Sequence, residues 1–188
     1  ELYRQAAEQG DPAGQCNLGY LYESGRGVEQ SWEEAAKWYE RSASAGYARA
    51  QCNFGVCCEF GHGVAKDTAK AAYLYRKAAE KDDRVAACNL GYLYETGVGV
   101  EQSWKDAVAW YRRAVDQGLP RAQYNLAWCY ENGRGVPRDQ EKALELYRAA
   151  AEQAYDGAAE AVERLEKGTK PPKEKGGFFK GLFGWRKG

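Results

Sequence analysis

Apolar and small residues recur along this chain at helical spacing, and the whole pattern repeats every 36 residues. Residues 16–46 have the sequence CNLGYLYESGRGVEQSWEEAAKWYERSASAG, and residues 88–118 have nearly the same one, CNLGYLYETGVGVEQSWKDAVAWYRRAVDQG. Looser copies begin at Cys52 and Tyr124, and all four copies stay in register without an insertion. This regular self-similarity predicts an array of stacked units that share one supersecondary motif.

The first half of each unit predicts a helix, termed helix A, which spans about residues 12–24 in the first copy. Apolar and small residues around Leu18 form a stripe on one face of this helix. Gly19 recurs in three of the four copies, with Ala127 in the fourth. Glycine is unfavourable inside a helix, so its recurrence indicates a close approach to a neighbouring element. Gly25 is predicted to end the helix in a left-handed conformation.

The second half of each unit predicts helix B, which runs to about Gly46 in the first copy. Every copy offers an N-cap at the same position: Ser31, Asp67, Ser103 and Asp139. Ser31 and Glu34 have the spacing of a capping box, and Ser103 with Asp106 forms a weaker one. The predicted apolar face of the first helix B consists of Ala35, Trp38, Tyr39, Ser42 and Ala43.

One helix pair cannot bury its apolar stripe alone, but stacked pairs can. The sequence therefore predicts an all-α fold, an α-solenoid that forms a right-handed superhelix of antiparallel helix pairs, with helix A inside and helix B outside. The predicted segments are 1–10 (remnant helix B of a truncated repeat), 11–154 (four repeats), 155–167 (C-terminal capping helix) and 168–188 (flexible tail). The capping helix is expected to turn Glu160, Glu163, Arg164 and Glu166 towards solvent.

The repeat resembles the Sel-one-like repeat (SLR) family, which is related to the tetratricopeptide repeats. The resemblance covers about residues 1–166. It depends on the following residues and their in-register copies: Leu18, Gly19, Tyr22, Gly25, Gly27, Val28, Ala35, Ala36, Trp38, Tyr39 and Ala43. It implies an α-solenoid adaptor that binds proteins or peptides on its concave face. It does not imply a particular partner, because fold and function separate easily in such scaffolds.

Charge is distributed unevenly along the 188 residues, although the formal net charge is zero. From Thr169 onward there are six Lys or Arg residues and one Glu, so the tail is basic and the preceding body has a net charge of −5. The body therefore lacks the basic stripe that phosphate groups require, and a nucleic-acid partner is not expected.

Three of the six cysteines, Cys16, Cys52 and Cys88, recur at one repeat position. The other three stand where other copies have leucine (Cys57 and Cys129) or tyrosine (Cys58). This pattern predicts small, buried or half-buried apolar side chains, because a disulfide framework would use paired positions at matched spacing. Unpaired thiols favour a reducing compartment such as the cytoplasm.

The sequence contains no recognisable catalytic constellation, so we do not expect an enzyme or a cofactor. The single histidine, His62, lies between two turn glycines at a variable position that should face solvent. The thiols Cys52, Cys57 and Cys58 lack the paired spacing of a zinc site, and no obligate metal is expected. The motif at 25–27 and its copies lack the lysine and the preceding strand of a phosphate-binding loop.

The candidate binding site is a ladder of side chains that recurs on helix A of every copy. It consists of Asn17, Tyr20 and Glu23, then Asn53, Val56 and Glu59, then Asn89, Tyr92 and Glu95, and finally Asn125, Trp128 and Glu131. Residues at i, i+3 and i+6 share one side of a helix, so this stripe is predicted to face a peptide-binding groove. An asparagine offers a peptide both a donor and an acceptor, and the aromatic rings offer contact area.

Two alternatives remain for the polar part of this ladder. The asparagines could instead tie one helix A to the next or cap the preceding turn. The glutamates could form a solvated face, which would favour basic or neutral partners.

The tail ends in a cluster of large apolar residues among basic ones: Phe178, Phe179, Leu182, Phe183 and Trp185. Three interpretations stay open: an anchor at a membrane surface, a docking peptide for a partner or for a groove of this fold, and an unstructured end with no binding role. The sequence thus predicts a protein- or peptide-binding adaptor. The alternative is a membrane-peripheral organiser that is held by its tail.

Overall fold

The computed structural model describes residues 2–169, and within them it contains ten α-helices and no strand. The helices are α1 (Leu2–Glu8), α2 (Pro12–Ser24), α3 (Trp32–Ser44), α4 (Ala48–Phe60), α5 (Thr68–Ala79), α6 (Arg84–Thr96), α7 (Trp104–Val115), α8 (Pro120–Asn132), α9 (Gln140–Glu152) and α10 (Ala158–Glu166). The predicted tail cluster at 178–185 lies outside the described residues.

The helices form two rows, because each helix packs against the next one along the chain. The even-numbered helices, α2 to α10, form the A row, and the odd-numbered helices, α1 to α9, form the B row. Neighbouring A helices also meet directly: the Arg49 guanidinium on α4 donates to Asn17 Oδ1 on α2 at 3.2 Å. The all-α solenoid predicted from the sequence is confirmed.

The A helices α2, α4, α6 and α8 end as the sequence predicts, at a glycine in the left-handed conformation. The φ angles are 66° at Gly25, 77° at Gly61, 73° at Gly97 and 66° at Gly133. Left-handed backbone is costly for residues with a Cβ atom, which explains why glycine recurs at this position.

The predicted N-caps of the B helices are confirmed, but the predicted capping boxes are wrong. The Ser31 hydroxyl accepts from the Glu34 backbone N–H at 3.2 Å, as an N-cap does. The reciprocal bond is missing because the Ser31 backbone N–H donates to the Tyr22 carbonyl, at 3.0 Å. The Ser103 N–H likewise donates to the Tyr94 carbonyl, at 2.9 Å. This backbone bond closes the turn between the two helices of each pair.

The second turn glycine brings consecutive helix pairs into backbone contact. A Cβ atom built on Gly63 would lie 2.1 Å from the Trp32 carbonyl oxygen, which belongs to the first residue of the preceding B helix. The equivalent distances are 2.2 Å from Gly99 to the Thr68 oxygen and 2.3 Å from Gly135 to the Trp104 oxygen. Any side chain here would collide with the main chain of the neighbouring pair.

The mid-helix glycines of the A row lie against buried tyrosines of the B row. A Cβ atom on Gly91 would approach the Tyr111 ring to 2.7 Å, and Gly19 and Gly55 have the same relation to Tyr39 and Tyr75. The close approach inferred from the recurrence of Gly19 is therefore confirmed. The neighbour is helix B of the same pair.

Candidate functional site

The four glutamates of the predicted ladder each accept a hydrogen bond from a buried tyrosine of the B row. The Tyr39, Tyr75, Tyr111 and Tyr147 hydroxyls donate to Oε2 of Glu23, Glu59, Glu95 and Glu131, at 2.6, 2.7, 2.7 and 3.0 Å. All four tyrosines are fully buried, and a buried phenol needs a partner for its O–H group. These glutamates therefore hold the two rows together.

The expectation of a solvated glutamate face is wrong for three of the four repeats. Glu59, Glu95 and Glu131 are 7%, 5% and 4% exposed, and Glu23 is half-buried. Burial raises the pKa of Glu59 and of Glu95, and the hydrogen bond from the tyrosine offsets only part of that effect. Three of the four glutamates therefore lie below the surface of the A row.

The last glutamate of the ladder, Glu131, also forms an ion pair. Arg164 on α10 was expected to face solvent, but its Nη1 lies 2.5 Å from Glu131 Oε1 and its Nη2 lies 2.8 Å from Oε2. Its side chain is 18% exposed, and that of Glu131 is 3% exposed. The two-pronged geometry of a guanidinium suits a carboxylate, and the bond to Glu131 raises the pKa of Arg164. The capping helix thereby neutralises the last buried carboxylate of the A row.

The asparagines of the ladder connect neighbouring A helices, which is one of the two alternatives left open by the sequence. Asn17 Oδ1 accepts from Arg49, and Asn89 Oδ1 accepts from Arg121. The other two amide groups donate to thiols: Asn53 Nδ2 lies 3.8 Å from Cys16 Sγ, and Asn125 Nδ2 lies 3.9 Å from Cys88 Sγ. These bonds occupy one end of each amide.

The remaining members of the ladder, Tyr20, Val56, Tyr92 and Trp128, are half-buried and pack against the core with part of each side chain accessible. Trp128 stacks on Trp104 of the preceding pair, with ring centroids 5.6 Å apart. The Arg26 guanidinium lies 5.6 Å from the Tyr20 ring centroid. The A row therefore presents a column of mainly aromatic groups beside the asparagine column.

His62 is not the solvent-facing residue that its variable position suggested. It is half-buried, and its ring stacks on Trp32 with centroids 4.4 Å apart. The equivalent residue two copies later, Arg134, lies 5.6 Å from the Trp104 ring centroid. His62 and Arg134 thus each cover the first residue of the preceding B helix.

The prediction for the cysteines is confirmed: all six are buried and none forms a disulfide. Burial raises the pKa of the Cys16 thiol to about 11 and those of Cys57 and Cys129 to about 12. Thiols of this kind remain protonated near neutral pH and behave as small apolar groups.

Arg49 and Arg121 are the surface residues that sequence reasoning missed. They occupy the same position of helix A in the second and fourth copies, where the first and third have Ala13 and Val85. A search for features common to every copy overlooks a residue present in alternate copies. The available signal was the recurrence of arginine after 72 residues.

The Sel1 repeat model matches residues 1–11, 12–47, 48–83, 84–119 and 120–155 of this chain. The chain belongs to the Sel1 repeat family. Proteins built from Sel1 repeats generally act as protein-interaction scaffolds, typically without enzymatic activity. The four complete Sel1 repeats correspond to the helix pairs α2–α3, α4–α5, α6–α7 and α8–α9.

Several solved structures resemble this Sel1 repeat chain. One is c5321, a protective antigen of uropathogenic Escherichia coli with an SLR fold; it is 35% identical with a TM-score of 0.81, over 92% of this chain and 37% of that protein. A Sel1 repeat protein from Oxalobacter formigenes is 37% identical with a TM-score of 0.79, over 88% of this chain and 66% of that one.

The immunity protein Pa5087 of Pseudomonas aeruginosa is also similar, at 27% identity and a TM-score of 0.57, over 84% of this chain and 58% of that one. This chain thus spans only part of the length of these three structural relatives. A search of curated proteins found no match. Among residues 2–169, no helix is both long enough and apolar enough to cross a membrane.

Proposed function

We propose that the A row of this Sel1 repeat chain binds an extended segment of another protein. The observation that carries the proposal is the column of half-buried, mainly aromatic side chains on successive A helices: Tyr20, Val56, Tyr92 and Trp128. Large aromatic groups dominate the binding energy of many protein interfaces, because they add contact area at a small cost in conformational entropy. The half-buried Asn17, Asn53 and Asn125 beside them offer polar groups for the peptide backbone, whereas Asn89 is only 8% exposed.

The neighbouring glutamates and asparagines hold the repeats together, and the aromatic column is a separate set of residues. The glutamates below this surface are occupied by the buried tyrosines, and the asparagines use only one end of each amide to join the A helices. The surface can therefore accept a ligand without breaking the bonds that hold the repeats together. A scaffold of this kind is consistent with the family to which the chain belongs.

The proposal is tested by shortening the accessible rings. We expect the triple variant Tyr20→Ala, Tyr92→Ala, Trp128→Ala to lose at least about tenfold in affinity for proteins captured by the purified chain, as for interface residues that cost more than 1 kcal/mol. The matched control removes Trp38 and Trp110, which are half-buried on the B row. Isothermal titration measures binding, and circular dichroism checks that both variants stay helical. Equal losses from both variants would contradict the proposal.

A second proposal concerns the tail, whose sequence combines large apolar groups with Lys180, Arg186 and Lys187. Such a segment would hold the chain at an anionic membrane surface while the repeats recruit a partner. We expect the full chain to sediment with vesicles that contain phosphatidylserine, and a chain that ends at Gly168 to stay in the supernatant. Equal sedimentation of the two chains would rule out the tail as the anchor.

A further inference from the structure

Two matching polar clusters lie on the A row, two repeats apart. In the first, Arg49 on α4 donates to Asn17 Oδ1 on α2 at 3.2 Å and lies against the Cys16 thiol. In the second, Arg121 on α8 donates to Asn89 Oδ1 on α6 and lies against the Cys88 thiol. Each cluster is completed by a second amide, from Asn53 and Asn125 respectively. We name them the first and the second arginine cluster.

The orientation of the amides in these clusters is fixed by chemistry. A guanidinium has only donors, so Asn17 and Asn89 must turn their Oδ1 atoms towards it and their NH₂ groups away. Neither NH₂ group is a buried, unsatisfied donor, since Gln51 Oε1 is the one such atom among the described residues. Asn17 is half-buried and Asn89 is only 8% exposed, so the guanidinium is the main group that each cluster offers to a ligand, and its N–H groups complement a carboxylate.

Neither arginine has a carboxylate of the described residues at salt-bridge distance, although the charge of Arg121 acts on the buried Glu59 and opposes the rise of its pKa. None of the ion pairs within residues 2–169 includes Arg49 or Arg121. The adjacent thiols do not supply a negative charge, because burial raises the pKa of Cys16 to about 11 and also raises that of Cys88. Arg49 is exposed and Arg121 is half-buried.

The carboxylates that could pair with these clusters already accept hydrogen bonds from other groups of the protein. Asp83 affects Cys16 and Cys52 electrostatically, but its Oδ1 caps α6 by accepting from the backbone N–H groups of Val85 and Ala86, at 3.0 and 2.8 Å. The four ladder glutamates accept from the buried tyrosines. A ligand carboxylate would therefore meet donors that have no acidic partner at salt-bridge distance.

We propose that the two arginine clusters each bind a carboxylate of an acidic peptide that lies along the A row. This inference rests on the proposed function and specifies the chemistry of the ligand. It reverses the preference for basic or neutral partners that a solvated glutamate face would give. Because the body as a whole has a net charge of −5, direct contact at the clusters must drive recognition, with no help from long-range attraction.

The geometry also sets the spacing of the acidic groups. Packed helices lie about 8–10 Å apart, so two steps along the A row separate the clusters by roughly 20 Å. An extended chain advances about 3.3 Å per residue, and the two acidic residues should therefore be about six positions apart. Tyr20 and Tyr92, three residues after the asparagines of the clusters, would contact the apolar residues between them.

The test is to pan a random dodecapeptide display library against the full chain and to sequence the enriched peptides. We expect peptides with two Asp or Glu residues about six positions apart. For a synthetic copy of the best peptide, we expect Arg49→Gln with Arg121→Gln to weaken binding by about tenfold or more. The matched control is Arg41→Gln with Arg113→Gln, which removes the same charge from equivalent positions of the B row and should change affinity less than about twofold.

The outcomes separate this inference from the proposed function. Enriched peptides that are neutral or basic, or that bind the Arg49 and Arg121 variant unchanged, would overturn the acidic ligand and leave peptide binding in place. A library that yields no enriched peptide would overturn both. If Arg121→Gln lowers the melting temperature, Arg49→Gln alone provides the test, since Arg49 is exposed and its removal leaves the core intact.

Discussion

The third and fourth repeats contain the same buried pair of glutamate and tyrosine, but they stabilise it differently. In the third, Glu95 has the Tyr111 hydroxyl at 2.7 Å, and a glycine, Gly91, lies beneath the tyrosine ring. In the fourth, Glu131 has Tyr147 at 3.0 Å and also the Arg164 guanidinium. An interior repeat thus tolerates an uncompensated carboxylate, whereas the repeat next to the capping helix receives a cation.

The largest expected effect comes from removing that cation. Arg164→Leu leaves Glu131 charged and buried without an ionic partner, and breaking a buried pair in this way costs about 3–5 kcal/mol. Chemical denaturation followed by circular dichroism measures the loss in free energy of unfolding. The control is Arg148→Leu, which breaks the exposed pair with Glu166 and should cost about 1 kcal/mol or less. Similar losses from the two variants would contradict the special role of Arg164.

The next largest effect is expected when the residues at the position beneath the tyrosine ring are exchanged between the third and the fourth repeat. Alanine is normally favoured over glycine in a helix by about 1 kcal/mol. Gly91→Ala should nevertheless destabilise the chain by about 1–3 kcal/mol, because the new Cβ would lie 2.7 Å from the Tyr111 ring.

The control for this exchange is Ala127→Gly in the fourth repeat. It creates no collision and should cost about 1 kcal/mol through helix propensity alone. A higher melting temperature for Gly91→Ala would show that Tyr111 can move away freely, and the close packing would then not explain the recurrence of glycine.

The smallest expected effect comes from replacing the buried glutamate with glutamine, and the resulting change in stability should have opposite signs in the two repeats. Burial raises the pKa of Glu95, so the folded state prefers its protonated form. The contribution of this group to stability is therefore complete below the unfolded pKa of about 4.3 and is lost as the pH rises through the folded value. Glu95→Gln keeps an acceptor for Tyr111 and should raise stability at pH 7 by about 1 kcal/mol or less, with the advantage fading as the pH falls.

Glu131→Gln should instead lower stability at pH 7, but by less than Arg164→Leu does, because the Arg164 side chain that loses its carboxylate is 18% exposed and can be hydrated. Thermal melts of both variants at pH 7 and pH 4 distinguish the two cases. If Glu95→Gln also lowered the melting temperature at pH 7, the bond from Tyr111 would outweigh the cost of burying the charge.

Much of the fold could be predicted from the sequence, because local signals recur at every copy. Gly25 and its copies mark the helix ends, Ser31 and its copies mark the helix starts, and Gly19 indicated a close contact before the contacting ring was known. These features act over a few residues or within one helix pair. Because each signal occurs four times, a single departure such as Ala127 in place of glycine does not change the prediction.

The surface was harder to predict, because it depends on contacts between helices. Spacing along one helix placed Glu95 on the same side as Tyr92, but it did not show that the Tyr111 hydroxyl, 16 residues further on, would reach the carboxylate. The sequence also gave no sign that α10 would turn Arg164 inwards. Arg49 was overlooked because alternate copies lack it. Contacts of this range require the geometry of the stack.

The contact between Gly63 and the Trp32 carbonyl has a consequence for how this protein can diversify. The seam between repeats is made by main chain against main chain, so the pitch of the stack does not depend on the residue between the two glycines. Histidine, valine and arginine occupy that place at His62, Val98 and Arg134, and the glycine after each one sits equally close to its neighbour. One edge of the molecule can therefore change its chemistry from repeat to repeat while every helix keeps its register.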